Sequence, residues 1–341
     1  MEQKKLRGVM TTWHTPHGTD LINALKDYVD FDVIINTNRS WHGRKFPEHA
    51  HFVPFYEKGK YDFAILNLDQ QAINTRIYKS HIYAQMKEAI ADDVPIFVLQ
   101  HGGPVYPEEV AKNGITFEQS EEELRRFIKD LVGEYTMVVN SYTAATPKEW
   151  GMGYPIVHGM DSEYWKPAEI KEPRVITALS PAGCDAYYNR ALMQEFGNIL
   201  QRRYGLTMQW ARISKEATFS KDDSDQYRDW LASSLVYIDT SIRTPMNRAR
   251  TEAMLSGCCV IQVEGAHDLE RFFHPGKDII LAPNNNPDAL ADLAYSYVTD
   301  KIAEAKQIGI AARENAMIQF SYKRYRQSWL NLLSKHGIYK P

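Results

Sequence analysis

The residues best suited to handle a charged ligand gather in "RTPMNRARTEAMLSG" (243–257), a stretch lying between two apolar runs, "SLVYIDTS" and "CCVIQVEG". Thr244 reads as an N-cap and Pro245 suits the first helical position. Met246, Asn247 and Arg248 then present backbone N–H groups, and a helix start of this kind attracts anions. Arg243 or Arg248 supplies the cationic partner, whereas Arg250 reads as solvated and Glu252 follows one turn after Arg248. A second group ends the run "FVLQHGG" (97–103), where Gly102 and Gly103 allow a ligand to approach the backbone beside His101. The loop "TWHTPHGTD" (12–20) brings His14, His17 and Gly18 after the first strand, as ligand contacts or as a structural turn. In "NRSWHGRKF" (38–46), Trp41 sits among basic and aromatic side chains, a mixture suited to a polyanionic or ring-bearing partner or to an exposed loop with one anchored tryptophan. The histidine pairs of "HTPH" and "HGRKFPEHAH" lack a carboxylate or cysteine at ligand spacing, so no metal site is expected.

These residues need elements to position them. Apolar runs at 6–13, 31–38, 61–69, 94–103 and 136–141 read as strands, separated by amphipathic stretches at 19–29, 73–91 and 120–132 that read as helices. Such alternation predicts a parallel sheet covered on both faces, with ligands at the carboxyl ends of its strands. The segment 162–173 carries two prolines and several charges and reads as a linker. Beyond it the alternation restarts, with strands at 174–180, 206–214, 235–241, 259–265 and 278–283. Helices are expected at 185–203, 224–234, 287–298, 301–318 and 321–334, besides the one that opens this section. Two doubly wound domains follow, the first over 1–165 and the second over 174–320.

A net charge of −3 gives no support for bulk non-specific binding of nucleic acid, which usually shows a basic excess, and does not exclude a local basic patch. Three cysteines are too few and too oddly spaced for a disulfide framework, and no apolar run approaches the length of a membrane-spanning helix. A reducing, cytoplasmic setting is expected.

Three motifs together resemble the GT-B glycosyltransferases, in particular the retaining family 4 group. "VHGMDSEYWKP" (157–167) is similar to that group's interdomain signature, and "TEAMLSGCCVI" (251–261) to its Glu-Ala-Met helix and following strand. "GAHDLERFFHPGKDIILAPNNNPDALADLA" (265–294) resembles the loop, glycine turn and Pro-Asp stretch after it. The likeness is good over about 135–320 and weaker over the first 130 residues.

The resemblance implies two Rossmann-like domains facing each other across a cleft, with the last helix, 321–341, packing back on the first domain. It implies transfer of a hexose or related sugar from a UDP- or GDP-type donor to a hydroxyl acceptor. The sugar diphosphate would lie at the helix start, on Thr244, Met246 and Asn247 with Arg243 or Arg248, and Glu252 would hold the donor ribose. His101 would stand near the transferred sugar, and His14, His17 and Gly18 near the diphosphate or acceptor. Retention would need no protein nucleophile and no metal or other cofactor.

Two departures stand out. Thr244 occupies the place of the group's first glutamate, and "ALSPAGCDAYYNR" keeps Gly183 but lacks the basic pair usual there. Arg243, Arg248, Arg212 or Lys215 would replace that charge. A sugar-nucleotide epimerase and a catalytically silent nucleotide-sugar-binding protein are the other readings. The acceptor stays open among a glycan, a lipid-linked group, a protein and a modified DNA base.

Overall fold

The computed structural model describes residues 4–11, 14–34, 47–68, 78–105, 121–179, 188–212, 219–220 and 224–340. The chain divides into two compact units, the first formed by 1–159 with 322–341 and the second by 160–321.

In the first unit, the strands are β1 (Leu6–Thr11), β2 (Val29–Ile34), β3 (Ala50–Val53), β4 (Phe63–Leu68), β5 (Ile96–Gln100), β6 (Thr136–Val139) and β7 (Tyr154–Pro155). They form one parallel sheet in the order β3-β2-β1-β4-β5-β6-β7. Strand order reverses between β1 and β4, the point at which open parallel sheets take up ligands. The helices of this unit are α1 (Thr15–Leu25), α2 (Tyr78–Ile90) and α3 (Glu121–Val132), joined by the last helix of the chain, Tyr322–Lys335. Sheet residues such as Leu66 and Val98 pack with Ile90 of α2 and Leu124 and Ile128 of α3 on one face. On the other face Phe31, Phe63 and Phe97 meet Leu21 and Leu25 of α1 and Trp329 and Leu333 of the last helix. Both faces are therefore buried, which is why these strands are near-continuous apolar runs. Gly159 admits no side chain, because a Cβ there would lie 2.5 Å from that of Tyr325.

The second unit repeats the plan. Its strands β8 (Glu172–Thr177), β9 (Gln209–Arg212), β10 (Phe219–Ser220), β11 (Ser234–Asp239), β12 (Cys259–Val263) and β13 (Ile280–Ala282) are ordered β10-β9-β8-β11-β12-β13 and all parallel. Here the reversal falls between β8 and β11. The helices are α4 (Arg190–Tyr204), α5 (Ser224–Ser233), α6 (Arg248–Leu255), α7 (Leu269–Phe272), α8 (Pro287–Val298) and α9 (Ile302–Gln319); the last helix of the chain is α10.

Three local expectations differ from the structure. The segment 162–173 is not a free linker: Trp165 is 2% exposed, and Arg313 of α9 donates to the backbone carbonyls of Ser162, Trp165 and Leu255. Helix α1 begins at Thr15 rather than Thr19, with Pro16 in its first turn, so His17 and Gly18 lie in the helix instead of a loop. Helix α6 begins at Arg248, with Asn247 as its cap in place of Thr244.

Helix α9 crosses the turn after α6 closely enough that a Cβ on Gly309 would lie 2.3 Å from the carbonyl oxygen of Gly257. Neither backbone can move without displacing a packed element. Gly309→Ala is expected to cost about 1–3 kcal/mol of stability, read as a lower midpoint in urea unfolding.

Candidate functional site

At the carboxyl end of β11, beside the point of strand reversal, the chain carries a fully buried carboxylate, Asp239. It accepts hydrogen bonds from the backbone and hydroxyl of Ser241, and at 2.9 Å from Nδ2 of Asn247. Burial pushes Asp239 above the usual carboxylate range, while nearby Arg250 and these hydrogen bonds oppose that shift. Asn247 thus has both ends of its amide occupied, because its Oδ1 accepts from the backbone N–H of Ala249 and caps α6. The side chain ties the start of α6 to the end of β11, so what it offers a ligand is the helix start itself.

Arg250 is the largest correction to the sequence reading. Expected to be solvated, it is fully buried. Nη1 donates to Oε1 of Gln262 at 2.9 Å, Nη2 approaches Sδ of Met246 at 2.8 Å, and the guanidinium lies 4.8 Å from the centre of the Phe273 ring. Gln262, on β12, in turn donates from Nε2 to the carbonyls of Ser241 and Val263. A buried guanidinium is tolerated because polar and aromatic partners surround it and a carboxylate lies near.

Thr244 is buried, its carbonyl accepts from the N–H of His267, and its Oγ1 has no hydrogen-bond partner among the described residues. Arg243 holds a left-handed φ of 49° while its N–H donates to the carbonyl of Gly265 at 3.0 Å. A non-glycine residue in that region is held there by its surroundings. Glu252 is 6% exposed. Its Oε1 pairs with Nε of Arg248 at 3.1 Å, one helical turn earlier, and its Oε2 accepts from the hydroxyl of Tyr227 at 3.2 Å. Thr244, Met246, Asn247, Arg248 and Glu252 therefore belong to one connected segment at the end of β11. Gly183, Lys215, Trp41 and the side chain of Arg212 lie outside the described residues.

In the first unit, histidines collect at the carboxyl end of the sheet. The His17 ring lies 4.2 Å from that of His101, His14 lies 4.9 Å from His101, and His158 lies 5.8 Å from His17. Asn140, just past β6, accepts from the backbone N–H of His158 at 3.0 Å, and its Nδ2 is 3.3 Å from Nδ1 of that ring. Gly102 donates its N–H to Oε1 of Gln100 and accepts at its carbonyl from Nε1 of Trp150. The N–H of Gly18 makes an ordinary helical bond to the carbonyl of His14. Among the described residues, no group of three or more His, Cys, Asp or Glu is disposed to hold a metal ion.

Tyr227, Asp239, Gln262 and His158 were not singled out in the sequence. Asp239 had a visible signal, an acid ending the apolar run "LVYID". Tyr227 had none, since its value depends on α5 lying beside α6.

Two parallel, doubly wound units of this topology define the GT-B fold. Residues 196–331 match the sequence family described as "Glycosyl transferase-like", and the chain has the GT-B fold. The structure of HepE from Anabaena in complex with UDP-glucose superposes with a TM-score of 0.68 at 13% identity, over 97% of this chain and 100% of that one. Sucrose-phosphate synthase from Thermosynechococcus elongatus gives 0.65 at 14% identity, over 98% and 99%. A glycosyltransferase from Rickettsia africae gives 0.64 at 13% identity, over 98% and 99%. No curated protein sequence matches the chain. Among the described residues, no helix is long and apolar enough to cross a membrane.

The cap of α6 has a testable signature. Asn247→Ala is expected to cost about 1 kcal/mol or more, and Asn247→Ser, which keeps a cap oxygen, should recover part of it. The cost also depends on pH. With its pKa raised in the folded state, Asp239 favours folding below the ordinary carboxylate range, and that contribution is lost as pH rises. Removing the Asn247 amide raises the folded pKa further, so the loss in Asn247→Ala should be larger at neutral than at acidic pH in urea unfolding.

Proposed function

We propose that this protein is a glycosyltransferase that moves a hexose or related sugar from a UDP- or GDP-type donor to a hydroxyl acceptor. The observation that carries the reading is the connected segment at the end of β11, where a helix start and a nearly buried carboxylate share one short helix. The start of α6 is the positive end of its helix dipole, and the turn beginning at Arg248 suits a diphosphate. Glu252, one turn on, suits a ribose, whose hydroxyls donate to a charged acceptor. A GT-B protein of similar fold, HepE, is known with UDP-glucose bound, which favours a uridine donor.

Arg243 and Arg248 are the candidates to neutralise the departing diphosphate, and with the helix start they make a resident metal unnecessary. In a retaining transfer, the acceptor oxygen forms its bond to the anomeric carbon on the face from which the phosphate oxygen departs. The acceptor proton passes to that phosphate oxygen. Stabilising the leaving group is then the main task, and one well-placed donor is worth roughly 3–4 kcal/mol. The hydroxyl of Thr244, without a hydrogen-bond partner among the described residues, offers one donor and two acceptor positions to the sugar where the related group uses a carboxylate. His14, His17 and His101 of the first unit are the candidates to contact the sugar and the acceptor. The free, buried thiols of Cys258 and Cys259 suit a reducing compartment.

Addition of UDP or GDP at millimolar concentration should raise the melting temperature, and one of their glucose or N-acetylglucosamine conjugates should release nucleotide on incubation. Glu252→Gln should weaken nucleotide binding by about ten- to a hundredfold. Unchanged affinity in that variant would remove Glu252 from the ribose, and no thermal shift with UDP, GDP or ADP would remove the donor site.

A further inference from the structure

What surrounds Glu252 decides how many hydroxyls it can receive. An ionised carboxylate has about four acceptor positions, two on each oxygen. Tyr227 occupies one on Oε2 and Arg248 lies against Oε1. Among the described residues one position on each oxygen is left, and the side chain is only 8% exposed. Two adjacent acceptors in a confined opening match the two O–H donors of a vicinal cis-diol.

The two neighbours differ in how firmly they hold the carboxylate. Arg248 reaches it along the same helix, an i to i+4 contact made through a flexible side chain. Tyr227 comes from α5, is 5% exposed, and has its ring packed at 5.9 Å from that of Trp165 and 6.1 Å from that of Trp230. Burial, with the charge of Glu252 next, pushes the phenol well above its ordinary value, so it remains a donor at every working pH. A rigid donor on one oxygen fixes the rotation of the carboxylate.

We propose that Tyr227 is a positioning residue that orients Glu252 toward both hydroxyls of a ribose, and so makes the site select ribonucleotides over their 2′-deoxy forms. This rests on reading the second unit as a nucleoside-diphosphate site.

The test is calorimetric titration of wild type, Tyr227→Phe and Glu252→Gln with UDP, GDP and the 2′-deoxy form of each. Wild type should prefer the ribonucleotide. Tyr227→Phe, which keeps the packed ring, should weaken that form by about tenfold and the 2′-deoxy form, which keeps only the 3′ hydroxyl, by clearly less, so that the preference shrinks. The donor KM should rise by the same factor with kcat little altered. Glu252→Gln keeps Tyr227 and should lose the same preference. Equal weakening of both forms by Tyr227→Phe, or none, overturns the proposal in favour of a purely structural hydroxyl. A wild type that prefers ribonucleotide while Tyr227→Phe keeps that preference removes the role of Tyr227 alone. A wild type that binds neither UDP nor GDP removes the donor site and this proposal together.

Discussion

A carboxylate buried at the end of a strand must find hydrogen-bond donors, and at Asp239 that requirement ties one strand to the next helix. Its donors are Ser241 and Asn247, and Asn247 is the cap of α6. The position of the helix start is therefore set by side-chain hydrogen bonds as well as by the turn of the chain. Arg250 of α6 and Gln262 of the neighbouring strand close the arrangement, since Gln262 binds both the guanidinium and the carbonyl of Ser241. Buried polar groups of this kind are stable only when nearly all are satisfied. What such a network contributes to function is a fixed direction for the N–H groups of α6, with Glu252 held a short distance along the same helix.

Much of this was legible in the residues, and the misreadings have physical causes. The long parallel strands show as apolar runs because both faces of each sheet are covered. The short edge strand β3 escaped notice because His51 and Phe52, half of its residues, are exposed and no apolar run forms. β10, only two residues long, gives no apolar run of its own. In "RTPMNRARTEAMLSG" the helix and its carboxylate were apparent, but the cap was assigned three residues early. Thr244 followed by Pro245 is a sound local signal for a start. It loses to Asn247 because only Asn247 can cap the helix and also donate to Asp239. Arg250 reads as solvated from sequence because charge alone suggests water. Its partners Met246, Gln262 and Phe273 are ordinary residues whose convergence depends on the fold.

The two units carry different residue types at the carboxyl ends of their sheets. The second is rich in fixed donors and a carboxylate, suited to a ligand that is an anion at one end and a polyol at the other. The first gathers His14, His17, His101 and His158 from three places in the chain at its carboxyl edge. Imidazoles donate or accept according to tautomer, a versatility that suits hydroxylated partners of varied shape.

The central claim is that the start of α6 and Glu252 together hold one nucleoside diphosphate. A crystal structure of the protein with UDP tests it most directly. The account predicts phosphate oxygens on the first-turn N–H groups of α6, and both ribose hydroxyls within hydrogen-bond distance, roughly 2.5–3.0 Å, of the two oxygens of Glu252. A nucleotide bound elsewhere in the second unit, with Glu252 still engaged only by Arg248 and Tyr227, would contradict it.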